Sequence, residues 1–340
     1  MSTTTNRIGL TRDAYKGSPT TLCAGCGHNS ITNHVIKAMY ELGIDPTKLI
    51  KMSGIGCSSK TPAYFVESAH SLNGVHGRMP ALATGANLAN RQLLMLGVSG
   101  DGDSVSIGLG QFAHMMRRNV DCTYIIEDNG TYGLTKGQFS ATADLGSVQR
   151  KGQPNVYPPI DPCAVALAIG CSFVARSFSG DGKQLVPLLK AALSHRGTAL
   201  LDVISPCVTF NDHDGSTKSY SWVKEHEQVI QDVSFIPYFE EVTVDYEEGT
   251  VHDVELHDGS HIVLKKLGAD YDPSDRVRAM QLLEESRADG QLVTGLLYFN
   301  QAAEDFASRE RLPDTPLRDL GESELRLSRE QFQALMEELA

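Results

Sequence analysis

The sequence predicts an α/β fold, in which a mostly parallel sheet flanked by helices is followed by a smaller extension. Short apolar runs alternate with amphipathic stretches from about residue 21 to residue 235, as is typical of strands connected by helices. Glycine-rich or polar turns directly follow several of these runs. The length of 340 residues suits one large α/β domain with an appendage, or two domains.

The central region, residues 21–235, contains four apolar runs that we predict to be buried strands. These runs are residues 93–99, 122–127, 171–176 and 199–204. The amphipathic stretches predict helices over residues 31–42, 108–118, 162–169 and 183–195. Because strands and helices alternate, the sheet is expected to be parallel and covered on both faces.

The two ends of the chain have different patterns. Residues 1–20 are expected to form a polar arm. Residues 236–340 are interpreted as an extension that acts as a dimer or subunit clasp. Its first part predicts a three-stranded antiparallel meander, with strands over 241–246, 251–256 and 261–267. Its second part predicts helices over 275–289 and 329–339.

Charge and hydropathy restrict the partners of the chain. With 30 basic and 42 acidic residues the net charge is -12, which argues against general nucleic-acid binding. No apolar run approaches the roughly 18 residues that a membrane span needs. The first residues show no apolar signal region. We therefore expect a cytoplasmic protein that contacts neither membrane nor nucleic acid. An acidic protein partner stays open, because a local basic patch is compatible with a negative total.

The segment Gly100-Asp-Gly-Asp103 directly follows the predicted strand 93–99 and is expected to open the helix 108–118. A strand, a glycine turn and a helix N-terminus form a favourable site for phosphate, because glycine lets the backbone approach and free N–H groups bind anions. The carboxylates in this turn require a cation between them and a phosphate. Mg²⁺ or Ca²⁺ takes such oxygen ligands.

A second polar cluster, Asp128-Asn-Gly-Thr131, follows the next predicted strand. The carboxyl ends of neighbouring parallel strands lie at one edge of a sheet, where ligands bind in such folds. Asp101 and the Asn129 amide oxygen are therefore expected to share one octahedral cation, with the Thr131 carbonyl as a third ligand. A Gly-Asp-Gly turn followed about 25 residues later by Asp-Asn is the spacing of the thiamine diphosphate motif.

The seven cysteines do not suit a disulfide framework, because their number is odd and no export signal is visible. Cys23, Cys26, Cys57 and Cys207 all lie in predicted loops at element ends, where metal ligands can converge. Their spacing alone is compatible with a structural zinc ion, a thioredoxin-like redox pair or a [4Fe–4S] cluster. Cys163, near a predicted helix start, competes with Cys207 for the fourth position.

Several short motifs follow one another in an order that resembles a known family. They are Cys23-Ala-Gly-Cys-Gly-His28, Ser53-Gly-Ile-Gly-Cys-Ser-Ser59, Val75-His-Gly-Arg78, Thr84-Gly85, Gly100-Asp-Gly-Asp103, Asp128-Asn129, Tyr132-Gly-Leu-Thr-Lys-Gly-Gln138 and Ser205-Pro-Cys207. The chain resembles the β subunit of the 2-oxoacid:ferredoxin oxidoreductases, especially the 2-oxoglutarate type. The resemblance covers about residues 18–230 and, more loosely, the extension.

The resemblance implies a thiamine diphosphate-binding fold and a division of labour between subunits. The β subunit carries thiamine diphosphate, its Mg²⁺ and one [4Fe–4S] cluster. A separate α subunit supplies the rest of the active site, including the glutamate that hydrogen-bonds the aminopyrimidine. This chain alone is therefore expected to be inactive, and to work in an αβ or (αβ)₂ enzyme.

The resemblance also assigns roles to residues. The cluster ligands would be Cys23, Cys26, Cys57 and Cys207, and the Mg²⁺ ligands would be Asp101, Asn129 and Thr131. The thiamine diphosphate contacts would be Ile55, Gly56, Cys57, Ser58, His76, Gly77, Arg78, Gly100, Asp101, Gly102, Asp103, Asn129, Thr131, Gly133, Leu134 and Thr135. The substrate contacts would be Lys60, Leu134 and Lys136.

The implied reaction is the oxidative decarboxylation of a 2-oxoacid with coenzyme A, with electrons passing through the cluster to ferredoxin. It also runs in reverse, as a reductive carboxylation. The second carboxylate of 2-oxoglutarate calls for a cation when it is buried, which Lys60 and Lys136 would supply. In this family Leu134-Thr-Lys136 goes with 2-oxoglutarate or broad-range enzymes.

Three other functions stay open on the sequence. The first is a pyruvate-specific or broad-range oxidoreductase of the same family. The second is a non-redox thiamine enzyme in which the cysteines hold zinc. The third is a zinc-stabilised interaction subunit without catalysis.

Overall fold

The structure is a computed structural model and describes residues 4–148, 153–205, 207, 227–231, 251–255, 261–265, 272–288 and 292–339. In chain order its strands are β1 Leu49–Ser53, β2 His70–Asn73, β3 Leu94–Gly100, β4 Cys122–Asp128, β5 Thr131–Tyr132, β6 Gln138–Phe139, β7 Phe173–Phe178, β8 Thr198–Ile204, β9 Glu227–Gln231, β10 Val251–Glu255, β11 His261–Lys265 and β12 Leu292–Phe299. The helices are α1 Gly27–Leu42, α2 Met79–Ala89, α3 Leu109–Arg118, α4 Pro162–Ile169, α5 Gly182–Ser194, α6 Arg276–Ala288, α7 Phe306–Arg309, α8 Glu322–Leu325 and α9 Arg329–Glu338.

An eight-stranded sheet, in the order β2-β1-β3-β4-β8-β7-β12-β9, lies at the centre of the protein. The six strands from β2 to β7 in this order are all parallel to one another. Strand β12 runs antiparallel to β7 and parallel to β9. The predicted mostly parallel sheet is therefore confirmed.

The four predicted strands correspond to β3, β4, β7 and β8, each to within two residues. Every residue of β4, β7 and β8 is buried, as expected for central strands covered on both faces. The four predicted helices correspond to α1, α3, α4 and α5. Helix α4 shows how local sequence sets the ends of a helix. Asp161 caps its first N–H groups, Pro162 is its first residue, and Gly170 ends it in a left-handed conformation.

Strand β1 was not predicted, because Lys51 interrupts its apolar run. The Lys51 side chain is nevertheless buried, and its Nζ donates to the Phe65 carbonyl at 2.5 Å and lies 5.3 Å from the Phe65 ring centroid. Burial lowers the pKa of Lys51 to about 8. A tertiary contact thus makes this lysine compatible with an interior strand.

The C-terminal region contributes to the central sheet through β12, which the sequence analysis did not predict. Gly295 of β12 pairs with Arg176 of β7, and the register shifts between Leu296 and Tyr298. In the predicted meander, β10 and β11 pair antiparallel, while its proposed strand 241–246 lies outside the described residues. The helices predicted over 275–289 and 329–339 are confirmed as α6 and α9.

Two buried apolar clusters fill the faces of the sheet. Helices α1 and α5 pack together on one face. Helices α2, α3, α4 and α6 cover the other. The two helical layers fix the strand ends, and with them the loops that carry the polar motifs.

The predicted polar arm packs against α1 in its described part, residues 4–20. Tyr15 is fully buried, and its hydroxyl donates to the Ile44 carbonyl at 2.6 Å. Asn6 donates to the Tyr15 hydroxyl at 2.9 Å, and Arg7 donates to the Leu42 carbonyl at 2.7 Å. Among the residues that the structure describes, no helix has the length and apolar character for crossing a membrane.

Candidate cofactor site

A small, partly open cavity lies at the carboxyl ends of β3 and β4. It is lined by His28, Ile55, Gly56, Cys57, Ser58, Gly100, Asp101, Gly102, Asp103, Asn129, Thr131, Tyr132 and Gly133. Gly100 pairs with Glu127 in the sheet, so the segments that follow the two strands start side by side. The parallel sheet therefore brings the two polar clusters together, as the sequence predicted.

The turn after β3 differs from the prediction in one respect. A π-helical turn, Gly102–Ile107, separates Asp101 from α3, so the glycine turn does not lead directly into that helix. Gly102 is required here because a Cβ atom would lie 2.5 Å from the Tyr132 ring. The Tyr132 hydroxyl donates to the Gly102 carbonyl at 2.9 Å. Such π-turns are rare and occur often at functional sites.

Asp101 and Asn129 lie next to each other, and both are buried. The Asn129 N–H points at Asp101 Oδ1 over 3.5 Å, and the Thr131 N–H donates to Asn129 Oδ1 at 3.0 Å. Carboxylate and amide oxygens converge there beside the glycine turn. This donor set is of the kind that Mg²⁺ or Ca²⁺ takes in proteins.

Asp103 connects three loops around the cavity. Its Oδ1 accepts from the Gly77 N–H at 2.7 Å. Its carboxylate packs against Gly54 so closely that a Cβ atom at position 54 would collide with it. Burial raises the pKa of Asp103 above its usual value. The loops that contain Gly54, Gly77 and Gly102 are therefore held in one arrangement.

The remaining residues of the predicted cofactor set are exposed and do not line the cavity. His76 and Arg78 flank the buried Gly77, whose N–H donates to Asp103. Leu134 and Thr135 are on the turn between β5 and β6, and directly follow Gly133 of the cavity wall. Each of these four residues is therefore connected through the chain to the cavity, although none is part of its lining.

The two lysines predicted to bind substrate are each three residues after a residue that lines the cavity, Cys57 or Gly133. Lys60 is half-buried in the short helix Ser58–Tyr64, one turn after Cys57. Lys136 is exposed at the tip of the β5–β6 hairpin, with φ at 77°. A positive φ is uncommon for a residue with a side chain, and it is often found in binding loops.

Four cysteines approach one another beside the cavity. Electrostatic interactions connect the thiol of Cys26 with those of Cys207 and Cys57, and the thiol of Cys57 with those of Cys207 and Cys23. Burial raises the pKa of Cys26 to about 12, and Glu127 and the neighbouring thiols add to this effect. Although all four residues are described, no three of their sulfur atoms lie within 4.8 Å of one another.

Cys163 lies in a different environment. It is fully buried on α4, and its Sγ is 3.8 Å from both the Ala175 carbonyl and Asp202 Oδ2. Burial raises its pKa well above the usual thiol value. This placement separates Cys163 from the group around Cys26 and Cys57.

Glu127, which no motif in the sequence indicated, is fully buried and interacts electrostatically with the thiols of Cys26 and Cys57. Thr61 donates to Glu127 Oε2 at 2.9 Å, and His28 Nε2 lies 3.7 Å from the same oxygen. His28 Nδ1 is 2.6 Å from the Ser205 hydroxyl. Burial lowers the pKa of His28 to about 4 and raises that of Glu127 well above its usual value. The only indication of Glu127 in the sequence is its position directly before Asp128-Asn129.

Comparison with known proteins identifies the family of the chain. Residues 54–203 match the family described as thiamine pyrophosphate enzyme, C-terminal TPP binding domain. The 2-oxoacid:ferredoxin oxidoreductase 2, subunit beta, of Aeropyrum pernix is 35% identical over 288 residues, which cover 84% of this chain and 82% of that protein. The chain belongs to the family of 2-oxoacid:ferredoxin oxidoreductase β subunits. The resemblance predicted from the ordered motifs is thereby confirmed.

Other members of the β-subunit family match a shorter region. The 2-oxoacid:ferredoxin oxidoreductase subunit beta of a Sulfolobus species is 44% identical over 191 residues, 56% of this chain and 63% of that protein. The 2-oxoglutarate oxidoreductase subunit KorB of Mycobacterium tuberculosis is 41% identical over 192 residues, 56% of this chain and 51% of that protein. The chain therefore matches less than two thirds of the length of these two relatives.

A solved structure extends the likeness over nearly the whole chain. It is the 2-oxoglutarate:ferredoxin oxidoreductase from Magnetococcus marinus with 2-oxoglutarate, coenzyme A and succinyl-CoA bound. The match covers 96% of each chain at 32% sequence identity, with a TM-score of 0.74. The α/β fold of the β-subunit family is thus present here.

Proposed function

We propose that this chain is the β subunit of a 2-oxoglutarate:ferredoxin oxidoreductase. With an α subunit it would convert 2-oxoglutarate, coenzyme A and two oxidised ferredoxins into succinyl-CoA, CO₂, one proton and two reduced ferredoxins, and would run in reverse as a reductive carboxylation. The observation that carries the proposal is the likeness over 96% of the chain to an enzyme with 2-oxoglutarate, coenzyme A and succinyl-CoA bound.

The cavity residues would hold thiamine diphosphate and Mg²⁺. Asp101, Asn129 and the Thr131 carbonyl would ligate the cation, and the turn Gly100–Asp103 would hold the diphosphate. The loops 55–58, 76–78 and 133–135 would enclose the rest of the cofactor. When bound, thiamine diphosphate supplies the electron sink for decarboxylation. The buried oxygen donors beside a glycine turn fit this group.

Cys23, Cys26, Cys57 and Cys207 would hold a [4Fe–4S] cluster. A single tetrahedral zinc ion, with Zn–S bonds of about 2.3 Å, needs sulfur atoms about 3.8 Å apart. No three of these four sulfur atoms have that spacing in the structure, which favours a larger group over a zinc ion. Metal binding would also supply the free energy that deprotonates thiols whose pKa is raised. A thiol-bound cluster suits a reducing compartment, and we place the enzyme in the cytoplasm.

The positions of Cys57 and Ser58 favour electron transfer over a short distance. The two residues are adjacent in sequence, and both line the cavity that contains Asp101. Cluster and cofactor would therefore share one loop. The cluster would pass electrons singly to ferredoxin.

Lys60 and Lys136 would provide positive charge for the distal carboxylate of 2-oxoglutarate, and Leu134 would contact its carbon chain. Both lysines are on segments that follow residues of the cavity wall, Cys57 and Gly133. A buried carboxylate needs such a partner. Pyruvate has no second carboxylate, so these residues would distinguish the two substrates.

Several segments next to the cofactor motifs contain exposed apolar side chains. Val75 precedes His76, Leu134 follows Gly133, and Leu145, Val156 and Tyr157 lie in the segment after β6. Large exposed apolar surfaces often mark contacts with another protein. We assign these side chains to contacts with the α subunit, which would cover the cofactor and complete the active site.

Residues 21–235 would then form the cofactor domain, to whose sheet β12 adds a strand. The rest of residues 236–340, like the arm 1–20, would serve subunit contacts. Helix α9 supports this role, since none of its residues is buried. Phe332, Leu335, Met336 and Leu339 are all exposed and recur at helical spacing.

The test is anaerobic co-expression with the α subunit, followed by assays of iron, sulfide and zinc and of ferredoxin reduction. We expect about four irons and four sulfides per chain, and reduction that depends on coenzyme A and is faster with 2-oxoglutarate than with pyruvate. Faster turnover of pyruvate would favour the pyruvate or broad-range alternative. A colourless protein with one zinc would favour the non-redox thiamine enzyme, or, without thiamine binding, the interaction subunit.

A further inference from the structure

Two hydroxyl groups hold the carboxylate of Asp101. Ser140 donates to Asp101 Oδ2 through a short hydrogen bond, and Thr142 Oγ1 lies 2.6 Å from the same oxygen. All three side chains are buried, with Asp101 and Thr142 each only 1% exposed. Neither Ser140 nor Thr142 belongs to the motifs from which the site was predicted.

The two carboxylate oxygens of Asp101 have different hydrogen-bonding partners. Oδ2 receives the hydroxyl groups of Ser140 and Thr142, whereas Oδ1 faces the N–H of Asn129. Asn129 is the other predicted side-chain ligand of the cation. The hydroxyls therefore hold Oδ2, so that Oδ1 is the carboxylate oxygen on the side of Asn129.

The segment that carries the hydroxyls is itself fixed at several points. Ser140 directly follows β6, and its N–H donates to the Gly130 carbonyl at 3.2 Å. The Ile160 N–H donates to the Ala141 carbonyl at 2.7 Å. Since the backbone is held on both sides, the hydroxyls are in place before a cation binds. Preorganised donors of this kind are what a precise metal site requires.

Thr142 also lies 2.7 Å from Oδ1 of Asp128, which is 1% exposed. A threonine hydroxyl has one proton and can donate to only one of the two carboxyl groups at a time. Thr142 thus separates two buried acidic side chains that follow neighbouring strands. Without the Thr142 hydroxyl, the carboxylates of Asp101 and Asp128 would each lose a hydrogen-bonding partner in a buried site.

We propose that Ser140 and Thr142 are positioning residues, which orient Asp101 for its divalent cation without touching the cation themselves. The proposal rests on the proposed function, in which Asp101 ligates Mg²⁺. It also connects the cation site to the hairpin of β5 and β6, because Ser140 directly follows that hairpin. The turn of the hairpin contains Leu134 and Lys136.

The test uses Mn²⁺ as a paramagnetic substitute for Mg²⁺ in the complete αβ enzyme. The enzyme is freed of divalent cation, saturated with thiamine diphosphate and titrated with Mn²⁺ under electron paramagnetic resonance. Thr142→Val keeps the side-chain shape and removes the hydroxyl, and is expected to raise the Mn²⁺ dissociation constant about 10- to 100-fold. Thr142→Ser restores the hydroxyl and should bind Mn²⁺ within about threefold of the parent protein.

A matched control is Thr198→Val. Thr198 is also fully buried, and its hydroxyl donates to the Val120 carbonyl at 2.7 Å at the opposite end of the sheet. The Thr198→Val substitution should leave the Mn²⁺ dissociation constant unchanged. If Thr142→Val does not yield folded enzyme, Ser140→Ala provides the same measurement with a smaller deletion and the same expected direction.

Asp101→Ala separates failure of this inference from failure of the proposed function. If Asp101→Ala binds Mn²⁺ as the parent does, the proposed cation site itself is wrong. If Asp101→Ala loses Mn²⁺ while Thr142→Val and Ser140→Ala bind it normally, the cation site stands and the positioning role is refuted. Equal weakening by Thr142→Val and Thr142→Ser would also refute it, because the hydroxyl would then not be the cause.

Discussion

Arg176 Nε donates to Asp202 Oδ2 at 2.9 Å, and the two residues are paired across the neighbouring strands β7 and β8. The guanidinium also contacts Asp161 Oδ1 at 2.5 Å. Ligand-type atoms of Asp161, Cys163 and Asp202 lie within 4.8 Å of one another, a spacing that a metal ion could use. Because Arg176 already pairs with both carboxylates, we interpret this group as a buried ion-pair cluster that joins α4 to the sheet.

We therefore expect Arg176→Met to destabilise the fold strongly. It leaves the buried Asp202 carboxylate and the half-buried Asp161 carboxylate without their cation, and breaking a buried pair typically costs about 3–5 kcal/mol. The free energy of unfolding is measured by urea denaturation under circular dichroism. The control is Arg326→Met, because Arg326 pairs with Glu322 at 2.8 Å on the surface, where a loss of at most about 1 kcal/mol is expected. Similar losses for both variants would contradict a special role for the buried cluster.

The sequence predicts the candidate site best where polar residues directly follow strands. Asp101 and Asn129 could be placed together because parallel strands align their carboxyl ends. The π-turn after Asp101 and the buried Glu127 depend on contacts between distant segments, which no local pattern contains. Strand β12 escaped prediction because Gly295 interrupts its apolar run. In the structure Gly295 has φ at 119°, and the register with β7 shifts shortly after it. Ser140 and Thr142 are ordinary hydroxyl residues, and only their approach to Asp101 distinguishes them.

Gly102→Ala tests the close approach of the glycine turn to the β5–β6 hairpin. The new Cβ atom would lie 2.5 Å from the Tyr132 ring, so the ring or the turn must move. We expect the dissociation constant of thiamine diphosphate in the complete enzyme, measured by calorimetry, to rise by at least about tenfold, equivalent to about 1.4 kcal/mol. Gly110→Ala is the control, since no atom lies within 4 Å of its new Cβ on α3. Unchanged affinity for both variants would mean that the turn does not hold the diphosphate.

Cys207→Ser and Cys163→Ser distinguish the two candidates for the fourth cluster ligand. The thiols of Cys26 and Cys57 interact with Cys207, whereas Cys163 is buried on α4 next to Asp202. We expect Cys207→Ser to lose or damage the cluster, and Cys163→Ser to keep about four irons per chain. Anaerobic visible spectra and iron assays provide the measurement. The reverse pattern would overturn the assignment of Cys207.

His195 gives the stability of the protein a definite pH dependence. Burial lowers its pKa to about 4, and its Nε2 lies 2.7 Å from the Ser172 hydroxyl. In the unfolded chain a histidine has a pKa of about 6.5, so between these values the unfolded state binds the additional proton. This contribution to stability is therefore complete above about pH 6.5 and is lost as the pH falls towards 4.

His195→Gln removes this titration and keeps a hydrogen-bonding side chain. The slope of unfolding free energy against pH between 4 and 6.5 should decrease by up to about 1.4 kcal/mol per pH unit. Urea denaturation at a series of pH values provides the slope. An identical slope in the parent protein and the variant would show that His195 is not held neutral.

Lys60→Ala and Lys136→Ala test which groups recognise the distal carboxylate of the substrate. Removing a hydrogen-bonding partner from a charged group costs about 1.5–3 kcal/mol, which corresponds to about 10- to 100-fold in kcat/KM. We expect this loss with 2-oxoglutarate and a much smaller one with pyruvate, measured as ferredoxin reduction by the complete enzyme. Lys48→Ala is the control, because Lys48 is exposed before β1, away from the carboxyl ends of the strands. Equal losses of kcat/KM with the two substrates would show that these lysines do not bind the second carboxylate.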